Sequence, residues 1–203
     1  ELMDDFSIGG DLLRDTLDKL ENINRWLGGN AMTVKSLKKV LKNHPKEQEL
    51  TIADIGCGHG DILRDVAKFG RKNGYKMKLI GMDANPTAIA YAKKLSTEFS
   101  ELSFITEDIF SKEFKERRFD VVLATLFLHH FKEDPLVSFL ENTLKQTKIA
   151  IVVNDLHRHV LAYYLFMLLS VFIKNKMIIE DGLTSVLRGF KRKDLVKISQ
   201  RIQ

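Results

Sequence analysis

Residues 51–61 read Thr-Ile-Ala-Asp-Ile-Gly-Cys-Gly-His-Gly-Asp, a stretch that leaves the backbone little choice. A short apolar run, Ile52, Ala53 and Ile55, carries one acid, Asp54, and breaks into Gly56, Gly58 and Gly60. Ile62, Leu63, Val66, Ala67 and Phe69 follow at helical spacing. Strand, glycine turn and helix together bring backbone N–H groups and a helix N-terminus against an anionic ligand group. A Cβ in such a turn would block the approach or forbid its positive φ. The chain is therefore an α/β protein with a ligand site at this turn.

A dinucleotide turn is G-x-G-x-x-G/A. Counted from Gly56 the third small residue falls on Asp61, and counted from Gly58 it falls on Leu63, so neither frame fits. The pattern Asp54-x-Gly56-x-Gly58-x-Gly60 instead resembles motif I of class I S-adenosylmethionine-dependent methyltransferases. That cofactor has no pyrophosphate, only a carboxylate for the helix N-terminus and an amino group. The resemblance implies that Asp54 holds the ammonium, directly or through water.

Further acids follow in register. A second strand around Lys78–Ala84 ends in Asp83, 23 residues after Gly60, where an α/β nucleotide site puts a carboxylate for the ribose hydroxyls. Asn85-Pro86 then opens a helix. A third strand from Leu102 ends in Asp108; in the family an acid here accepts from the adenine amino group, and the next backbone N–H, that of Ile109, donates to the ring. A fourth strand, Phe119–Thr125, precedes Leu126-Phe-Leu-His-His-Phe131, and a fifth, Ile149–Val153, precedes Asn154-Asp155. An acid at a strand end often only caps a helix, but three at one-βα-unit spacing favour a site. The implied cofactor-binding set is Asp54, Gly56, Cys57, Gly58, Gly60, Asp83, Ala84, Asp108, Ile109, Thr125 and Leu126. The resemblance covers about residues 50–156. It implies a Rossmann-like, mostly parallel, doubly wound α/β sheet of about five strands with an N-terminal helical extension.

The 203 residues suit one cofactor-binding domain, 46–203, with a helical cap at 1–45. The family's sheet has seven strands, the last two a hairpin for which no room remains before Gln203; with Glu at position 1, the chain reads as a fragment. Its one cysteine, Cys57, sits inside the glycine turn as a small filler, which points to a reducing, cytoplasmic compartment. Asp4 and Asp5 make the start unlike a signal peptide. Arg188, Lys191, Arg192, Lys193, Lys197 and Arg201 against Asp194 account for the whole net charge of +5. With Phe190 as the only interleaved aromatic, that segment reads as a solvated helix face rather than a nucleic-acid stripe.

On the substrate side, an amphipathic helix at 11–27 aligns Leu12, Leu13, Leu17, Leu20, Ile23 and Leu27, and Gly28-Gly29 stops it. A second helix is expected near 33–43, and Trp26, on the first, is expected in the core, with the pocket wall as the alternative. Residues 160–173 are apolar all round and, at fourteen residues, too short for the ~20 that span a bilayer, so they are expected in the core, with Tyr163, Tyr164, Phe166 and Met167 as an alternative pocket wall. His129 and His130 follow strand four, His157 and His159 follow strand five, and one of the four is expected to act as a base or substrate contact. His130 and His157 rank first on proximity to the strand ends. Asn154-Asp155 would suit a catechol-type metal site, but Thr125-Leu126 stands where that site needs an acid, so no metal is expected. Neither the Asn/Asp-Pro-Pro-Tyr nor the Pro-Cys motif of base-modifying enzymes occurs. Leu128-His-His-Phe131 looks like small-molecule methyltransferases, including the quinone C-methylating type, and Asn154–Tyr164 and Ser185–Phe190 resemble a bacterial group acting on polyketide or aryl products. The expected activity is O- or C-methylation of a small hydrophobic or aromatic acceptor. The alternatives are a noncatalytic cofactor-binding scaffold and a nucleic-acid methyltransferase.

Overall fold

In the computed structural model, which describes residues 9–171, 173 and 175–202, five strands form one parallel sheet. Asp4 and Asp5 of the N-terminal stretch and Phe172 of the apolar run lie outside the described residues. The strands are β1 (Leu50–Ile55), β2 (Met77–Asp83), β3 (Leu102–Thr106), β4 (Phe119–Thr125) and β5 (Thr147–Asn154), in the order β3-β2-β1-β4-β5. The order reverses between β1 and β4, and the crevice beyond the C-terminal ends of those strands is where such sheets hold ligands.

Side-chain alternation divides the core. Ile52, Val121 and Leu123 face the layer made by α2 (Gly29–Val40), α3 (Asp61–Asn73) and α4 (Pro86–Leu95). Ala53, Ile55, Val122 and Ala124 face α6 (Glu133–Gln146) and α9 (Arg192–Arg201), with Phe114 of the short α5 (Lys112–Glu116) between. Burial on both faces is what near-continuous apolar strands require. Asn85 caps α4 by accepting from the N–H groups of Thr87 and Ala88, and Pro86 supplies the fixed φ of a first helical residue.

α1 (Gly10–Trp26) lies over α4 through Leu13, Leu17 and Ala88. The chain then passes through Gly28, whose φ of +80° is left-handed, and enters α2 at once. That turn explains why α2 begins at Gly29 rather than near 33: glycine permits an immediate restart. Leu37 and Leu41 are fully buried in the sheet's own core. After β5 come α7 (Val160–Ser170), α8 (Lys176–Arg188) and α9. Two of the basic residues on α9 are tied down: Lys197 and Arg201 pair with Glu133, and Arg201 also with Asp134. Asp194 receives Arg158 at 2.6 Å. No helix among the described residues is long and apolar enough to cross a membrane.

One position tests how tightly β2 meets β3. A Cβ on Gly81 would lie 2.5 Å from the Phe104 ring and 2.9 Å from Cys57 Sγ. Gly81→Ala should therefore lower unfolding free energy by ~1–3 kcal/mol, the usual range for overpacking. Adding Phe104→Leu should return part of the loss in urea titrations.

Candidate functional site

Gly56, Gly58 and Gly60 all have left-handed φ, at +69°, +52° and +78°. The turn they form gives four of its N–H groups to the protein rather than presenting them bare, contrary to the expectation from sequence. Gly56 and Cys57 both donate to the Met82 carbonyl at 2.9 and 3.0 Å, Gly60 donates to Cys57 O at 2.8 Å, and Gly58 donates to Asp83 Oδ2 at 2.9 Å. The anion-accepting feature that remains is the first turn of α3, whose N-cap Gly60 offers no side chain. The glycines also make room for neighbours: a Cβ on Gly56 would strike the Phe127 ring, and one on Gly60 would sit 2.5 Å from Phe104.

Asp54 is 2% exposed, and its Oδ2 has no hydrogen-bond partner. Burial, then the charges of Asp61 and Asp83, push its carboxyl well above the usual range. A buried carboxylate in this state lacks a cation or donor. Asp83 is better served, accepting from Gly58 N and, through Oδ1, from Asn85 N at 2.9 Å. Burial raises its pKa, while those two N–H groups and His130 pull the other way. Each of its oxygens keeps a second lone pair. Glu107 holds Arg117 at 2.8 Å through Oε2, while its Oε1 is buried without a partner. Asp108 is exposed and accepts from Phe110 N. These acids, with Ala84, Ile109, Thr125 and Leu126, line one cavity of about 1130 Å³. Leu126 has a φ of +53°, a costly conformation for a non-glycine residue, and its N–H donates to Asn154 O at 2.8 Å. The Cys57 thiol is buried and its pKa is driven up by that burial, so it is no nucleophile.

The four histidines separate. His129 Nδ1 lies 2.6 Å from Asp155 Oδ1, and both side chains are almost fully buried. Asp155 is itself held by the N–H groups of Leu128, His129 and Leu156. His130 stacks near His129, with ring centroids 4.4 Å apart, and both line the cavity. His157 and His159 do not line it: both are exposed, His157 bridging to Phe190 and His159 accepting from Leu161 N as the N-cap of α7. Proximity in sequence misled here because the chain after Asp155 turns outward along Phe190. Asn154 donates to Gly29 O and Thr33 Oγ1 rather than joining a metal set.

Sequence reasoning also passed over His59. It is 3% exposed, its Nε2 lies 3.0 Å from Glu21 Oε2, and burial holds its pKa below the ordinary value against the pull of Asp61 and Glu21. Arg64 donates to His59 O and to Glu21, Arg25 meets Asp65, and Asn30 donates to Asp61. This network clasps α1 and α2 to the glycine turn. Nothing in the spacing of these residues announces it.

Over residues 46–163, more than half of the chain, the sequence matches the family model described as a methyltransferase domain. The chain belongs to this methyltransferase family. No curated protein matches it by sequence. Among solved structures it is similar to the plantazolicin methyltransferase BpumL in complex with SAH, at 20% identity and a TM-score of 0.61, covering 92% of this chain and 66% of that one. It is also similar to the magnesium protoporphyrin IX methyltransferase ChlM from Synechocystis with bound SAM, at 16% identity and a TM-score of 0.54, covering 84% and 66%. A third is the CurJ carbon methyltransferase, at 17% identity and a TM-score of 0.61, covering 85% and 46%. The chain spans less than two thirds of each of these three, and at such identities the likeness is one of fold.

The rest of the methyltransferase cavity is walled by helices. Leu20, Ile23 and Leu27 on or beside α1 face it from one side, and Leu165, Phe166 and Leu169 of α7 from the other. Two core expectations fail here, and of the residues named as an alternative pocket wall Trp26 and Phe166 line the cavity while Tyr163, Tyr164 and Met167 do not. Trp26 is not core: it is 77% exposed and sits on the cavity rim, because α1 buries Leu13 and Leu17 and turns Trp26 away from the sheet. Nor is α7 core, since none of its residues is buried; it lies outside the sheet layers, packed on α8. Among the described residues no cluster suited to a metal ion occurs. The lining carries seven carboxylates (Glu21, Asp54, Asp61, Asp83, Glu107, Asp108 and Asp181) and, among the described residues, no lysine or arginine.

Asp54 supplies a stability test with a definite sign. An acid whose folded-state pKa is raised destabilises the fold as pH climbs from its unfolded pKa through the folded one. Asp54→Asn should thus raise the melting temperature of the ligand-free chain at neutral pH, and the gain should vanish below about pH 4. Calorimetric melts across that range check it.

Proposed function

We propose that this methyltransferase moves the methyl group of S-adenosylmethionine onto a hydroxyl, or an acidic carbon, of a small hydrophobic or aromatic acceptor. The observation that carries the reading is the convergence on one cavity of the orphaned Asp54 carboxylate and the Asp155-held His129. The buried, unpartnered oxygens of Asp54 and Glu107 suit a ligand that brings donors and positive charge, so the residues fit this cofactor. When bound, the cofactor supplies an electrophilic methyl on a sulfonium. Asp54 accepts from its ammonium, the first turn of α3 faces its carboxylate, Asp83 accepts from the ribose hydroxyls, and Asp108 with the Ile109 N–H reads the adenine. The single buried cysteine accords with a cytoplasmic setting. Residues 1–45 contribute the cap, mainly through α1.

On the acceptor side, the base role is assigned to His129, whose ring is held through Nδ1 by Asp155 Oδ1 at 2.6 Å. For a hydroxyl acceptor, the O–H proton would pass to the His129 imidazole while the oxygen takes the methyl carbon that the cofactor would supply, the cofactor leaving as a neutral thioether. The protein's other contribution is alignment of the in-line attack.

Calorimetry should show binding of S-adenosylmethionine and weak or no binding of NAD; tighter NAD binding would refute the assignment. Asp83→Ala should weaken the cofactor by about 1.5–3 kcal/mol, the scale of a hydrogen bond to a charged group, and Asp83→Asn by less.

With a working acceptor found by isotope-labelled methyl transfer into extracts, His129→Gln should cut turnover ~10²-fold or more while leaving cofactor affinity nearly unchanged. Activity of the wild type should fall as pH drops, because only the neutral ring accepts a proton. Asp155→Asn should lower kcat and displace that pH profile. Full turnover in His129→Gln, with loss in His130→Gln, would move the base to the neighbouring ring.

A further inference from the structure

The acceptor can be narrowed by charge. An anionic group taken out of water needs a cation or several donors around it. The cavity's described lining offers neither lysine nor arginine, and its only basic side chains are the imidazoles of His59, His129 and His130. His59 Nε2 lies 3.0 Å from Glu21 Oε2, and His129 Nδ1 lies 2.6 Å from Asp155 Oδ1. The glycine turn gives the N–H groups of Gly56, Cys57, Gly58 and Gly60 to Met82, Asp83 and Cys57, which leaves it few for a second anion. Carboxylates make up most of the rest of the polar surface; Glu21 is paired with Arg25 and Arg64 and Glu107 with Arg117, while Asp83 and Asp108 accept from backbone N–H groups. Such a lining suits a sulfonium and offers an anion little in place of its water. A cationic acceptor is disfavoured for the opposite reason, since it would meet the sulfonium itself. The volume, about 1130 Å³, exceeds the ~300–1,000 Å³ of an ordinary single-ligand pocket. Part of its lining is apolar, Leu20, Ile23 and Leu27 on or beside α1 and Leu165, Phe166 and Leu169 of α7.

We propose that the acceptor is an electrically neutral molecule with a hydroxyl-bearing ring as its head and an apolar body between α1 and α7, and that acceptors bearing a carboxylate, sulfate or phosphate are rejected. The position of the head rests on the methyl-transfer reading above; the charge selection rests on the cavity lining alone. Leu165, 56% exposed yet on the lining, is the position where a cation can be added without opening the core.

The chain's single tryptophan, Trp26, stands on the cavity rim and reports occupancy by its fluorescence. The probes are para-butylphenol and para-butylbenzoate, which share ring and chain but differ in head charge at about pH 7. With S-adenosylhomocysteine present, the phenol should bind at least ~10-fold more tightly than the benzoate. Leu165→Lys should shrink that ratio by weakening the phenol and strengthening the benzoate. Equal or tighter benzoate binding to the wild type overturns the proposal, as does failure of both probes to perturb Trp26. A calorimetric titration with S-adenosylhomocysteine alone separates the two readings. Absence of binding there defeats the cofactor assignment, while the ranking of the probes, repeated without the nucleoside, still decides the charge selection.

Discussion

The last two residues of β2 hold the first loop in place. Met82 gives its carbonyl to two consecutive N–H groups of the glycine turn, and Asp83 gives a carboxylate oxygen to a third. Everything downstream takes its direction from that attachment. It sets where β1 ends, at what angle α3 leaves, and hence where the α3 N-terminus points. Because β1 and β2 are in parallel register, with Ile55 beside Met82, the loop meets its anchor without a shift. The ordinary hydrogen bonding of a sheet is thereby carried past the last residue of the strand and into the site.

Two consequences follow for how local and long-range forces share the work. The turn spends four of its donors on the protein, so what it mainly leaves for a ligand is shape, a helix terminus and the unpartnered oxygens of Asp54 and Glu107. The opposite wall is held differently, by the polar clasp of Glu21, His59, Arg64, Asp61 and Asn30 between α1, α2 and the turn. The same α1 lines the cavity with Leu20 and Ile23. One helix therefore joins the clasp to the apolar wall.

Much of this was written locally in the chain. Five strands and the acids at their ends follow from apolar runs, glycine breaks and one-βα-unit spacing. Asn85-Pro86 signalled the start of α4 because capping is a short-range matter. What stayed hidden depends on which way an element faces. An all-apolar helix such as α7 reads as core, yet hydrophobicity cannot say whether the surface it covers is the sheet or a cavity. Trp26 was misplaced for the same reason: the α1 stripe is wide, and only packing decides that Leu13 and Leu17 take the inner edge. The importance of Asp155 was visible only as half of a metal motif. Its capture of three backbone N–H groups and of His129 needs the loop after β4 and the loop after β5 to meet.

Asp54 links binding to the solvent in a way that the contact pattern does not reveal. Burial beside other acids keeps its carboxyl protonated further up the pH scale than a surface aspartate. A cationic group settling against its unpartnered oxygen reverses that preference, so occupancy expels a proton wherever the free and occupied pKa values straddle the ambient pH. Filling the site is then an exchange of one positive charge for another. Its heat will carry the ionisation enthalpy of whichever buffer takes up the proton, and the affinity will tighten as the medium becomes more alkaline.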